Sequence, residues 1–493
     1  MTDKVTKRRQ RKKKDPELVL PNNTPIPDSD DTRSESLEVL TSPCIRQRQD
    51  SVATSTWNSP EAEPRHLALE QEGVVALSSQ FRLPAIYQPS LAVPEALDNL
   101  FISHFVALNT GVRSYHAETP WIALLPGLQS RATTPALKFS LRAVSMALWA
   151  KFHRNAPVLV DSYRWYTRSL KSQRMAIAKL NTGRLPTDEE CLAPIILGLY
   201  EVYAGTTPST VFQHLAAAAQ IVAMRGPWNC TAEDALPLFI ALRVSEAHKA
   251  IVFNRPSVFS TPEWMTIPFI LTPKTAHMHL TDILLAIPGC IRLTGTERTL
   301  SGFFVNPLPL NVDLDPVRLR TLHLLGDLDR WAKRHPHLCT TMPARVTCTT
   351  EDMTTPIDTS TPESPSSAVK IPNTFVAMAT TAYKAAHLIL TLLLEKVSPT
   401  IAVDSEDASP ESPSPSASLL EQATEDAKDI LKLSIYMEST HPVGFIFLRC
   451  VFPLVVVCIL GPSREDRKAA REILDRWGAE RGLGGLAGSW VSV

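Results

Sequence analysis

The stretch that decides the fold runs over residues 192–269: LAPIILGLYEVYAG (192–205), VFQHLAAAAQIVAMRGP (211–227) and LFIALRVSEAHKAIVFNRPSVFSTPEWMTIPF (238–269). Each piece recurs in apolar residues at helical spacing, and each is apolar along one side. Gly205 and Gly226-Pro227 stop the first two helices, because glycine takes the left-handed backbone at low cost and proline cannot continue a helix. The third helix ends in a segment that Pro256, Pro262 and Pro268 force into a loop holding Trp264. No catalytic constellation sits in the stretch. The expectation is an all-α regulatory or interaction domain.

Working outward, the same period continues. Leu97, Phe101, Phe105 and Leu108 lie on one face of a helix opening at Pro94. Leu137, Leu141, Val144 and Leu148 do the same over 136–152. A long amphipathic helix over 158–180 has Tyr163, Tyr166, Leu170 and Ile177 on one side and Arg164, Arg168, Lys171 and Arg174 around the other. Thr187 and Glu190 form a capping box at the start of the helix ending near Gly205. Ser209 caps the next helix, and another runs over 234–254. Later helices are expected at 278–287, 316–334, 374–397, 419–439, 444–460 and 464–480, the last capped by Ser463 with Glu465 and Asp466 in its first turn. No alternation of period two persists, so no sheet is expected.

Two stretches rich in Pro and Ser, about 354–372 and 398–418, interrupt the helices and lack the apolar residues of a core. Residues 1–90 read as a disordered tail, basic and then acidic and Pro/Ser-rich; 91–493 read as one helical domain carrying the two disordered inserts. The chain has 493 residues, 44% of them hydrophobic, enough for a sizeable core. Its 50 basic and 50 acidic residues cancel, so the whole molecule has no steering field. The balance hides Lys7, Arg8, Arg9, Arg11, Lys12, Lys13 and Lys14, the run KRRQRKKK.

The N-terminus has charge without a following apolar run, which is not the pattern of a signal peptide. The eight cysteines include no CxxC pair, which favours free thiols in a reducing compartment. The most apolar run, FIFLRCVFPLVVVCIL (445–460), is shorter than a membrane span of about 20 residues and contains Arg449 and Pro453, so it is expected as a buried core helix and no membrane is expected as a partner.

In order, LGLYEVY (197–203), HLAAAAQIVAMRGP (214–227), NRPSVFSTPEWMTIPF (254–269) and the piece 444–477 followed by Trp490 resemble the regulatory domain of fungal-specific transcription factors of the binuclear zinc-cluster family. The resemblance covers residues 87–493. It implies a domain of many packed helices, the middle homology region, with transcription regulation in the nucleus as its role. It also implies control of a gene set such as a secondary-metabolite biosynthetic cluster. The family places a DNA-binding cluster of six cysteines around two zinc ions ahead of this domain. Here Cys44 is the lone cysteine in the first 190 residues, so that module is missing from the chain. A shortened version of a longer protein and a relative without fingers would each give this pattern. No cofactor is expected in the chain itself, zinc entering only with a missing N-terminal cluster. The expected partners are an import receptor, DNA reached indirectly or through the missing module, and a second copy or a co-regulator.

The basic run 7–14 suits nuclear import or non-specific phosphate contact, against the plainer alternative of a solvated tail. His335, His337 and Cys339 alternate with Cys348 nearby, but the spacing lacks the usual zinc pairs and Pro336 breaks any helix that would array them. GLGGLA (482–487) matches a dinucleotide pattern without the strand that pattern requires. Glu201, His214, Arg243 and Glu246 stand beside apolar faces; they pair within the core or border an effector pocket between helices. The Ser-Pro and Thr-Pro steps at 355, 361, 364, 409, 412 and 414 are open to proline-directed kinases, against the plainer alternative of a linker. Cys450 and Cys458 are expected as packing residues. No nucleophile–base set, zinc-protease motif or phosphate loop occurs, and no enzymatic activity is expected. The competing class is a cytoplasmic helical ligand-binding or interaction protein.

Overall fold

Thr187 is extended, and its hydroxyl accepts from the Glu190 amide at 3.3 Å while the Glu190 carboxylate accepts from the Thr187 amide at 2.9 Å. This is the capping box read from the sequence. The helix it starts, Asp188–Ala204, stops at Gly205 with φ of 62°. In the computed structural model, residues 95–110, 127, 131–205, 210–232, 235–339, 374–398, 415–439, 445–480 and 486 are described, all within one compact unit over 63–493. Their regular structure is helical, with no strand among them.

The helices are α1 (Glu95–Thr110), α2 (Pro135–Phe152), α3 (Ala156–Ala178), α4 (Asp188–Ala204), α5 (Thr210–Arg225), α6 (Ala235–Val252), α7 (Pro262–Thr266), α8 (Ala276–Arg292), α9 (Leu300–Val305), α10 (Asp315–Arg334), α11 (Thr374–Val397), α12 (Pro415–Ser439), α13 (Phe445–Arg449), α14 (Val451–Leu460) and α15 (Arg464–Glu480). Neighbours in sequence are mostly neighbours in space. α1 packs on α2, α2 on α3 and α4, α4 on α5, α5 on α6, α6 on α8, and α8 on α10. α11 then joins α10 to a C-terminal group of α12, α14 and α15. Short connections favour such antiparallel neighbours.

One continuous core runs through the unit, from Phe105 on α1 to Trp477 on α15. α11 is the one described helix long and apolar enough to cross a membrane, and 78% of its apolar window is buried inside the protein. It packs against α10, α12 and α14.

α7, within the segment expected as a loop, and α9 are not among the expected helices; three further differences trace to proline. The helix expected to end at Ile287 continues through Pro288 to Arg292, since its flanking residues Ile287, Cys290 and Ile291 are buried and hold it in place. The helix expected over 444–460 is two helices. Pro453 lacks the N–H that Arg449 would receive, and its ring crowds the Arg449 carbonyl, so the chain tightens at Cys450, whose amide reaches back only to Phe447 at 3.0 Å. α12 starts at Pro415, inside the stretch expected as an insert, with proline in the first turn where its missing donor costs nothing.

The loop after α6 turns on Asn254, which has φ of 49°. The Arg255 amide reaches the Ala250 carbonyl at 2.9 Å, closing the helix end. The buried Asn254 amide group donates to the carbonyls of Arg298 at 3.0 Å and Thr296 at 3.3 Å, tying this turn to the segment before α9. Beyond it Phe239, Phe259, Trp264 and Phe269 form one aromatic cluster, with centroids 5.0–6.0 Å apart. The Pro-broken segment is thus a core element rather than a surface loop.

Candidate functional site

Four buried polar residues were expected either to pair or to border a pocket. All four pair, but not with one another. Arg243, 1% exposed, meets Asp282 of α8, which also takes Lys274 at 2.6 Å; both cations lie against the Phe269 ring. Glu246 pairs with Lys249 one turn on. His214 Nε2 lies 2.9 Å from the Tyr166 hydroxyl, and Tyr166 in turn hydrogen-bonds the Glu201 carboxylate while stacking on Tyr200 at 4.4 Å. Burial, and secondarily the charge of Arg174, pushes the His214 imidazole down to about 4, so it is neutral at physiological pH.

A second buried network joins α11 to α12. Lys384 lies 2.9 Å from Asp426 and 3.1 Å from Asp429, and His387 Nδ1 lies 2.5 Å from Asp426. Burial alone would lower the Lys384 ammonium, but the two carboxylates outweigh it and hold its affinity for the proton above the usual range. Every charge here has a partner, which is the arrangement of a structural clasp.

One site differs. A cavity of about 90 Å³ opens where α4, α5 and α6 meet the C-terminal pair α13 and α14. Ile195, Leu199, Val202, Val211 and Leu242 supply apolar walls. His248 from α6 and Arg449 from the end of α13 supply the polar ones. The His248 ring lies flat on Phe452, with centroids 4.1 Å apart and planes 4° from parallel. Arg449 is only 9% exposed, and its Nη1 is enclosed without a hydrogen-bond partner among the described residues. Burial lowers the guanidinium to about 10, leaving it charged at neutral pH. Burial, then the charges of Arg449 and His277, hold the His248 imidazole well below its ordinary value. The site is therefore a largely apolar pocket with one buried cation and one neutral imidazole.

Sequence reasoning did not single out this pair. Arg449 entered only as a charge interrupting an apolar run; that interruption was itself the signal, because a lone arginine within 16 otherwise apolar or proline residues needs a reason to be buried. The residues Lys7, Arg8, Arg9, Arg11, Lys12, Lys13 and Lys14 lie outside the described residues. So do those Ser-Pro and Thr-Pro steps, apart from Pro415, and GLGGLA apart from Leu486. Cys450 is fully buried and Cys458 half-buried, in keeping with packing.

Among the described residues no three His, Cys, Asp or Glu side chains converge as a metal site. His335 and His337 have ring centroids 6.2 Å apart, and Cys348 lies outside the described residues. The described cysteines Cys191, Cys230, Cys290, Cys339, Cys450 and Cys458 are dispersed over the helices, so they do not fit a two-zinc cluster, which needs six thiolates gathered around the metals. No family model, curated protein or solved structure matches this chain.

Proposed function

We propose that this chain is a transcription regulator working in the nucleus, with a helical domain that performs no chemistry and presents helix faces to a second copy or a co-regulator. The observation supporting this reading is where the family-like segments lie. The C-terminal piece lies more than 200 residues after LGLYEVY and HLAAAAQIVAMRGP, yet Gly198, Leu199, Leu215, Leu448 and Phe452 from the three share one cavity. Segments that resemble one family's regulatory domain and build a common site are read most economically as that domain. Control of a secondary-metabolite gene cluster is the narrower form of the proposal. DNA would be reached through a partner or through a module outside this sequence.

The basic run supplies the address. Replacing Lys12, Lys13 and Lys14 with alanine should move a fluorescently tagged protein from nucleus to cytoplasm, because clustered cations are what an import receptor reads. A wild-type protein that stays cytoplasmic would instead favour a ligand-binding protein that keeps the cavity and has no role at DNA.

A further inference from the structure

We propose that the cavity between α4, α5, α6 and the α13–α14 corner binds a short-chain aliphatic monocarboxylate, its carboxylate on Arg449 and its chain against Leu199, Val202 and Leu242. The inference deepens the regulatory reading by naming the class of effector, and it stands on the cavity itself. Arg243, the other fully buried cation among the described residues, has Asp282; half-buried Lys384 has Asp426 and Asp429, and half-buried Lys396 has the carbonyls of Phe304 and Asn306. Arg449 has no anion among the described residues, although its Nη1 is enclosed. A buried charge without a partner is strongly unfavourable, and a guanidinium fork matches a carboxylate with two parallel hydrogen bonds.

The walls choose among anions. One cation balances one negative charge. A doubly charged, heavily hydrated phosphate would lose its water to apolar side chains without replacement. An aliphatic acid loses little, because its tail is meant for such walls. His248 stays neutral, so it adds one N–H donor and no second charge.

Size sets the length. The cavity holds about 90 Å³, against roughly 150 Å³ in an engineered cavity that takes benzene. That leaves room for a chain of about two to four carbons. Ala241, on the cavity wall, gives a way to fill the space without touching Arg449.

The test is thermal melting and titration calorimetry on the full chain with sodium propionate, using propionamide, sodium chloride and sodium phosphate at matched concentrations. Propionate should raise the melting temperature saturably, and the other three should not. Arg449→Met should weaken propionate binding roughly tenfold or more, the loss of a charge-assisted pair. Its ligand-free melting point should equal or exceed that of wild type, since it removes an unpaired buried charge. If Arg449→Met fails to fold, Ala241→Leu decides: it should melt cooperatively and lose the propionate response. Equal responses to propionate and propionamide, an undiminished response in the folded variants, a larger response to phosphate, or no response to propionate would each overturn the proposal. These readouts are independent of where the protein resides in the cell, so failure here leaves the nuclear reading standing, and the reverse.

Discussion

His214 shows how a single buried residue sets pH behaviour. Its imidazole sits against the Tyr166 hydroxyl on a surface made by α3, α4 and α5, where burial keeps the proton off down to about pH 4. The unfolded chain takes up that proton near pH 6.5, its ordinary value. Above pH 6.5 neither state is protonated and the residue contributes no pH dependence. Below it only the unfolded state gains a proton, so stability falls as the pH drops, by about 3 kcal/mol in all once pH 4 is reached. Between about pH 7 and about pH 5 the wild-type protein should lose about 2 kcal/mol more than His214→Gln in urea unfolding, at about 1.36 kcal/mol per unit of pKa. Parallel losses would contradict a neutral buried His214.

At this scale the sequence was only half legible. Spacing placed Glu201, His214, Arg243 and Glu246 beside apolar faces, which was right. It could not choose partners for Glu201, His214 and Arg243, because Tyr166 and Asp282 are brought close by packing; only Lys249, three residues after Glu246 on the same helix, follows from spacing. Arg449 was missed for the same reason: what marks it is the absence of a neighbouring anion, a property of three-dimensional surroundings.

Prolines carry the argument at the scale of elements. Pro194 lies inside α4 and has no N–H for the Glu190 carbonyl one turn back. Gln173 of α3 replaces the missing donor, its side-chain amide lying 2.9 Å from that carbonyl. Gln173→Leu should therefore cost about 1–3 kcal/mol, the penalty of a buried unsatisfied carbonyl. The double variant Gln173→Leu/Pro194→Ala should recover most of it, since an alanine in place of Pro194 restores the helical N–H. Additive costs in a double-mutant cycle would rule out this repair.

Glu189, next to the capping box, does comparable work across helices. Its carboxylate accepts from the amides and hydroxyls of Thr133 and Thr134 at 2.6–2.8 Å, fastening the start of α4 to the start of α2. Burial alone would raise this carboxyl, yet the four hydrogen bonds hold it below the ordinary carboxylate range. Its contribution is thus present above the unfolded value and lost as pH falls through the lower folded one. Glu189→Ala should cost about 2 kcal/mol at neutral pH, and a cost below a few tenths would show the contacts to be idle. The capping box was legible because it is local in sequence. The Glu189 clamp and the Gln173 repair were not, since both join residues distant along the chain. The break at Cys450 was available from Pro453 and was overridden by the strength of the apolar run.

For the whole molecule, apolar periodicity was enough to indicate an all-α fold, because each helix buries a stripe at about 3.6-residue spacing and no segment alternates at two. What periodicity could not give is the return of α13 and α14 onto α4, α5 and α6, which closes the cavity around Arg449 and brings three of the four family-like segments to one site. The proposed role depends on that convergence, and on the basic run at residues 7–14 acting as an address. Chromatin immunoprecipitation of the tagged protein, paired with transcript profiling of a deletion strain, tests it most directly. The account predicts localised peaks upstream of genes whose transcripts change when the protein is removed. Uniform background along the chromosomes with unchanged transcripts would contradict it.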